Sequence, residues 1–317
     1  MMAAGRAAAC GAATVLLEKN KRLGRKLLIS GGGRCNVTTG IVDRHLLVAR
    51  YGTRAAGLHS PFSRFDSASM RAFLHERGLE TKMEAEQRVF PVTDQAASVR
   101  AVLERYLDDG HVRVRTRADV SSIRMEADRV AGIVLRSGEV VPCGALVLAT
   151  GGVSRPETGS TGDGFRWLAE TGHTVRVPRP SLVPIAVRER WPATLQGLAL
   201  PHVKLTAVLD GTVQFAETGK LLFTHFGLSG PLVLNLSQRV GELAQGGPVE
   251  LRIDLVPSTD GGTLERELQE VFDATARRKI RNSLGTVLPP RLVTTVLELA
   301  GVDGELEGHS VTRAARK

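Results

Sequence analysis

The stretch VLLEKNKRLGRKLLISGGGRCNVT, residues 15–38, decides how this chain reads. A short apolar strand ends in the carboxylate of Glu18. A basic linker carrying Lys19 and Lys26 then runs into three consecutive glycines with polar residues behind them. In α/β folds that bind dinucleotides, an acid ending the second strand accepts hydrogen bonds from ribose hydroxyls, and Glu18 stands where that acid belongs. Gly31, Gly32 and Gly33 can bring bare backbone N–H groups close to a phosphate or an aromatic ring, where a Cβ would clash. Singly, Glu18 also reads as an ordinary strand-end charge and the glycine run as a turn. In this order they favour a nucleotide.

Composition sets the outer limits. At 317 residues, with 42% hydrophobic and 24% charged residues, the chain has the make-up of an ordinary globular protein of two or three domains. A net charge of +9 raises nucleic acid or an anionic cofactor as partners. The basic residues, however, are scattered among acids, with no Lys/Arg block, and aromatic content is only 4%; nucleic acid is not the expected partner. Arg113, Arg115 and Arg117 share one face of a strand, most simply a solvated one. Cys10, Cys35 and Cys143 form no C-x-x-C pair, which argues against zinc, a dithiol motif and a disulfide framework, and suits a reducing cytosol. Cys35 sits within the glycine motif, either beside a cofactor or as a small buried filler. The start, MMAAGRAAACGAATVLL, has a signal-like look, but alanine makes a poor apolar core and the VLL run leads straight into Glu18. Helix over 1–10, a turn at Gly11 and a strand over 14–17 is the better reading. No stretch approaches the roughly 18 uninterrupted apolar residues of a membrane span.

Along the chain, residues 66–78 predict a helix capped by Asp66 or Ser67 and closed at Gly78. Residues 86–93 are extended and broken at Pro91. Residues 94–110 predict an amphipathic helix with Val99, Val102, Leu103 and Leu107 inward. From 111 to 152 come short strands with turns at Ala127-Asp128 and Ser137-Gly138. The last of these, ALVLATGG, reads as a central parallel strand because it is apolar on both faces. It ends at Thr150-Gly151, where a ligand can approach the carboxyl edge of a sheet. The loop TGSTGDG, 158–164, precedes a helix and reads either as an anion site or as a capped helix entry with Asp163 as N-cap. It is not a P-loop, since no Lys follows the glycines. Beyond the prolines of 174–180 the pattern is β-rich, with a hairpin signal at Asp210-Gly211. Thr224, His225 and Ser229 gather catalytic-type side chains in THFGLSG. No Asp lies near to orient His225, and the spacing is not G-x-S-x-G, so a structural turn is the other reading. Residues 263–300 are helical, divided at Leu288-Pro289-Pro290.

The run GRKLLISGGGRCNVT resembles the signature of the flavoproteins known as HI0933-like or BaiN-like NAD(P)/FAD-dependent oxidoreductases. Residues 145–173, SLVPIAV at 181–187 and GKLLFTHFGLSGPLVLNLS at 219–237 fit the same family in the same order. The resemblance implies an α/β, Rossmann-like FAD-binding domain of the two-dinucleotide-binding type over 1–178, a β-rich insertion domain over 179–256 and a small helical subdomain over 257–317. It implies FAD as cofactor, with NAD(P)H as a possible electron donor, and leaves the substrate, catalytic residues and oligomeric state open. Carried over residue by residue, Glu18 would hold the adenosine ribose, with Lys19 and Lys26 in the same binding stretch. Ser30, Gly31, Gly32, Gly33, Arg34, Cys35, Asn36 and Thr38 would line the pyrophosphate and isoalloxazine, Arg34 neutralising a phosphate or the reduced flavin. Val120 would meet adenine through its backbone, and Thr150 and Gly151 would flank the ADP half. The resemblance fails at both ends. Met1 falls inside the family's first helix, and the chain stops at HSVTRAARK where members continue, so a truncated fold that holds FAD poorly is expected. Two other readings stand beside this one: a nucleic-acid-associated, RNA-modifying flavoprotein, and a non-enzymatic remnant without cofactor.

Overall fold

The computed structural model describes residues 1–52 and 55–312. The end of the final predicted segment, 313–317, therefore lies outside the described residues. The chain divides into two units, Met1–Pro178 and Arg179–Lys317.

In the first unit, α1 (Met2–Ala9) is an alanine-rich helix that lies against α6 (Ala96–Asp109) at Gly5. A Cβ at Gly5 would come within 2.4 Å of the Tyr106 ring, so only glycine permits this approach. After the turn at Gly11, β1 (Val15–Leu17) pairs in parallel with β5 (Arg113–Arg115), Val15 opposite Arg113. Helix α2 (Arg25–Ile29) leads to the glycine turn and then to β2 (Thr38–Thr39). Two short helices, α3 (Arg44–Ala49) and α4 (His59–Arg64), precede α5 (Ser67–His75). Asp66 caps α5 as its sequence predicts, its carboxylate accepting from the Ser69 N–H at 2.9 Å. β3 (Thr81–Glu84) and β4 (Arg88–Pro91) join β2 in the order β2-β4-β3, and β4 stops at Pro91, which has no N–H to continue a ladder. Val99, Val102, Leu103 and Leu107 of α6 are buried, the face that their helical spacing predicts. β6 (Val120–Glu126), β7 (Arg129–Leu135) and β8 (Val140–Pro142) form an antiparallel meander, and α7 (Asp163–Glu170) closes the unit.

One expected strand is not built. Residues 145–150 join no ladder among the described residues. Leu146 and Leu148 are half-buried while Val147 is 67% exposed. Ladder neighbours must lie about 4.8 Å apart. Here a groove separates this segment from β1, so apolar character alone does not make it a sheet strand.

In the second unit, β9 (Ile185–Ala186) and the single turn α8 (Trp191–Thr194) lead to the hairpin of β10 (Ala199–Leu209) and β11 (Thr212–Thr224). Its turn residues Asp210 and Gly211 both have positive φ, 50° and 73°, the conformation that matches strand twist. β12 (Gly227–Ser229), α9 (Pro231–Leu243) and β13 (Val249–Asp254) complete a sheet ordered β13-β10-β11-β12-β9. Its core includes Leu205, Leu221, Phe223 and Val233. Among the described residues, the C-terminal stretch includes the α-helices α10 (Gly261–Ala274), α11 (Ile280–Leu284) and α12 (Pro290–Ala300). They carry a smaller core around Phe272, Ile280 and Val293, while Leu292 of α12 joins the sheet's core.

Candidate functional site

A groove of about 680 Å³ opens in the first unit between β1 on one side and residues 141–151 on the other. Its lining is largely apolar, including Leu16, Ile133, Leu146 and Leu148, and Glu18 is among its polar residues. Glu18 Oε1 accepts from the Asn20 N–H and from Asn20 Nδ2, both at 2.8 Å, while Oε2 has no partner among the described residues. Asn20 Nδ2 also donates to the Thr158 carbonyl at 3.0 Å, tying the acid to the hydroxyl-rich loop before α7.

The two lysines of the basic linker reach that same loop. Lys19 Nζ donates to Thr161 Oγ1 at 2.6 Å and to Asp163 Oδ2 at 2.9 Å. Lys26 Nζ donates to the Ser154 carbonyl at 3.1 Å and to Ser154 Oγ at 2.8 Å, with Ser160 Oγ at 3.5 Å. Hydrogen bonds from Thr161 and then Lys19 hold the Asp163 carboxyl below its ordinary range. Asp163 is thus not the N-cap that the sequence suggests. Gly162 occupies that position, with φ 83°, and Asp163 sits in the first turn, facing Lys19. The loop is close-packed: a Cβ on Gly159 would meet Asn20 Nδ2 at 2.7 Å, and one on Gly164 would meet Thr150 Oγ1 at 2.2 Å. Trp167 fixes α7 to the meander by donating from Nε1 to the Ser121 carbonyl at 2.9 Å.

Of the residues expected from sequence, Glu18, Lys19, Lys26, Val120, Thr150 and Gly151 line this groove. Ser30, Gly31, Gly32, Gly33, Arg34, Cys35, Asn36 and Thr38 do not. They form a separate turn at the far end of α2, about 8 Å along the helix by its length. Ser30 Oγ donates to the Leu27 carbonyl at 2.6 Å, and Asn36 Oδ1 accepts from the Val89 N–H at 3.2 Å, docking the turn onto β4. Thr38 pairs with Val89 in the ladder. The glycines differ in role. A Cβ on Gly31 would meet the Asn36 backbone nitrogen at 2.6 Å, so Gly31 closes the turn, whereas Gly32 has open space around it. Cys35 is buried at φ 62°, and burial pushes its thiol pKa up.

Arg34 is already committed. It makes two hydrogen bonds to the Glu84 carboxylate, donates from Nε to Asp94 Oδ1 at 2.8 Å, and lies 4.0 Å over the Phe90 ring. Lys82 binds the other Asp94 oxygen. Two cations face two carboxylates, so the cluster is neutral. Hydrogen bonds from Arg34 hold Glu84 low, and hydrogen bonds from Lys82 and then Arg34 do the same for Asp94. In the second unit, THFGLSG links β11 to β12. Ser229 pairs with Leu222, and His225 stacks edge-on against Phe226 at 4.8 Å.

A model of the HI0933-like protein Rossmann domain matches residues 1–284. The chain belongs to this family. It is 31% identical over 307 residues to a ribosomal RNA dihydrouridine synthase of Escherichia coli, covering 95% of this chain and 72% of that relative. The dihydrouridine synthase of Haemophilus influenzae is 29% identical over 312 residues, 96% and 73% of the two chains. A 3-dehydro-bile acid delta(4,6)-reductase of Clostridium scindens is 28% identical over 289 residues, 90% of this chain and 69% of the relative. Family membership and the reductase relative support a flavoprotein oxidoreductase. Among the described residues, no helix is long and apolar enough to cross a membrane.

The sequence did not single out Asn20, Ser154 or Ser160 as site residues. Small hydroxyl and glycine residues before a helix are the signal that pointed to the loop, but only the fold shows that it meets Lys19 and Lys26.

Proposed function

We propose that this chain is an FAD-dependent reductase, supplied with electrons by NAD(P)H, that adds hydrogen across a carbon–carbon double bond conjugated to a carbonyl. The observation that carries the reading is the groove itself: an acid with a free oxygen at a strand end, an apolar trough, and two lysines gathered on a glycine–hydroxyl loop. A dinucleotide needs those parts in combination: an acceptor for ribose, apolar walls for a base and cations for a diphosphate. The residues present fit FAD on this count.

In this reading, residues 1–178 hold the cofactor, and the chain continues into a β-rich domain over 179–256 and a helical one over 257–317. Glu18 accepts from ribose hydroxyls. Lys19 and Lys26 exchange part of their bonding to the loop for phosphate oxygens. Val120 with Leu16 and Leu148 covers the apolar part. Gly32, exposed and free of neighbours, presents bare backbone at the end of α2. When bound, the flavin supplies hydride transfer, and the protein supplies orientation and electrostatics.

The double-bond chemistry is the part common to the named relatives. A delta(4,6)-reductase and a dihydrouridine synthase both saturate a C=C; in uridine that bond is conjugated to a ring carbonyl. The two dihydrouridine synthases favour a uracil ring in RNA as substrate over a steroid-like enone. Titration of the purified 317-residue chain with FAD, followed by anaerobic addition of NADH or NADPH, tests the reading. Saturable binding and bleaching of the flavin absorbance by one nucleotide are expected. Absence of saturable FAD binding overturns it.

A further inference from the structure

Residues 42–52 and 55–65 carry a surface that the groove does not use. Val42, Leu46, Tyr51 and Phe65 are exposed by 74, 61, 58 and 44%. Between them stand Arg44, Arg50 and Arg64, all exposed. The segment's one carboxylate, Asp43, is turned to the backbone, accepting from the N–H groups of His45 and Leu46 at 2.8 and 3.0 Å to cap α3. Rings bridge its parts: His45 meets His59 at 5.4 Å, and Tyr51 meets Phe62 at 5.8 Å. With Asp43 turned to the backbone and Asp66 near Arg44, the three arginines still outnumber the acids here, and a cationic surface with accessible rings is complementary to a polyanion that also offers flat bases.

We infer that this surface binds single-stranded RNA, with Arg44, Arg50 and Arg64 on phosphates and Tyr51 stacked on a base. Arginines track the backbone of a single strand, and aromatic faces accept any base. α3 and α4 have six residues each, too short to float as amphipathic helices in a lipid interface. The inference rests on the proposed function only for substrate class, since a uracil reductase acting on RNA must first hold the strand.

The test is fluorescence anisotropy of a labelled 20-nucleotide single-stranded RNA with the full chain over a range of salt. The wild type should bind, with log affinity falling linearly against log salt. Replacing all three arginines (R44Q, R50Q, R64Q) should flatten that slope by about 2, each phosphate contact contributing about 0.7. Tyr51→Ala should weaken binding about fivefold or more with the slope unchanged. FAD titration and thermal melting of both variants, unchanged from wild type, show that the fold and groove are intact. The proposal is overturned if the wild type does not bind RNA, if the triple variant keeps wild-type affinity and slope, or if binding goes to anionic vesicles instead. RNA binding without FAD binding would defeat the proposed function and leave this surface standing. FAD binding without RNA binding would do the reverse.

Discussion

Replacing Glu18 gives the sharpest test of the groove, because the structure separates two things the side chain does. Oε1 accepts both contacts from Asn20, and Oε2 makes none. Glu18→Ala removes both. The lost Asn20 contacts cost stability, about 1 kcal/mol for each hydrogen bond, and lower Tm by a few degrees. The lost ligand contact costs affinity. A hydrogen bond from a ribose hydroxyl to a carboxylate is worth about 1.5–3 kcal/mol, or roughly 10- to 150-fold in Kd. Glu18→Gln keeps an oxygen for Asn20 but loses the charge on the free side. It should keep the wild-type Tm while weakening FAD toward the lower end of that range. The assay is quenching of flavin fluorescence on titration into apo protein, with thermal melting in parallel. If Ala lowers Tm but both variants bind FAD within twofold of wild type, Glu18 serves only the Asn20 turn and the ribose assignment is wrong.

Three further outcomes follow from the same geometry. Gly31→Ala should destabilise more than Gly32→Ala, since both carry positive φ but only Gly31 would drive a Cβ into backbone, 2.6 Å from the Asn36 nitrogen; Gly32→Ala should cost about 1–2 kcal/mol, and any loss of FAD affinity beyond that in Gly32→Val places ligand at the turn. Asp163 has a folded pKa below its ordinary value of 3.8, so its contribution is present above that value and lost as pH falls through the depressed pKa; melting temperatures between pH 2.5 and 6 should show a fall at the acid end that Asp163→Asn reduces. Arg34→Gln should lower Tm and also weaken acid sensitivity, because Glu84 and Asp94 are held low partly by Arg34; a variant that loses FAD with no change in Tm or acid profile would instead put Arg34 on the ligand.

What the sequence made legible is what is local. The face of α6, the Asp66 cap, the stop at Pro91 and the Asp210-Gly211 hairpin each depend on residues a few positions apart, and each is present in the fold. Glu18, Lys19 and Lys26, read from one stretch, line one groove with Thr150 and Gly151. Arg34 shows where that kind of reading stops. A guanidinium after three glycines looks free to meet a phosphate, but its partners lie 50 and 60 residues further on and bring two negative charges with them. Nothing within the motif announces them. Residues 145–150 fail for a related reason. Apolar side chains on alternate faces record that a segment is extended, whereas membership of a sheet depends on a neighbour at hydrogen-bonding distance, which is a property of the whole fold.

The distribution of charge joins the groove to the surface beyond it. Of the formal charges, residues 1–178 hold 26 Lys and Arg against 18 Asp and Glu, so +8 of the net +9 lies in the first unit. Much of that charge is locally neutralised: Arg34 by Glu84 and Asp94, Arg115 by Glu139, Arg166 by Glu170, Lys19 by Asp163. Lys26 is held only by neutral oxygens, and Arg44, Arg50 and Arg64 stand on a segment whose single acid is spent on a cap. Cations held by neutral groups or by water keep their full attraction for an incoming anion, whereas paired ones must first break a bond. Two of the places where that excess can act are the groove and the surface of α3 and α4. A diphosphate meets Lys26 over a short distance within the groove, and a polyanion meets the arginines of α3 and α4 over a longer one. Only the second should depend steeply on salt, because it displaces many condensed counterions. FAD affinity that falls as steeply with salt as RNA affinity would mean that both ligands share one site.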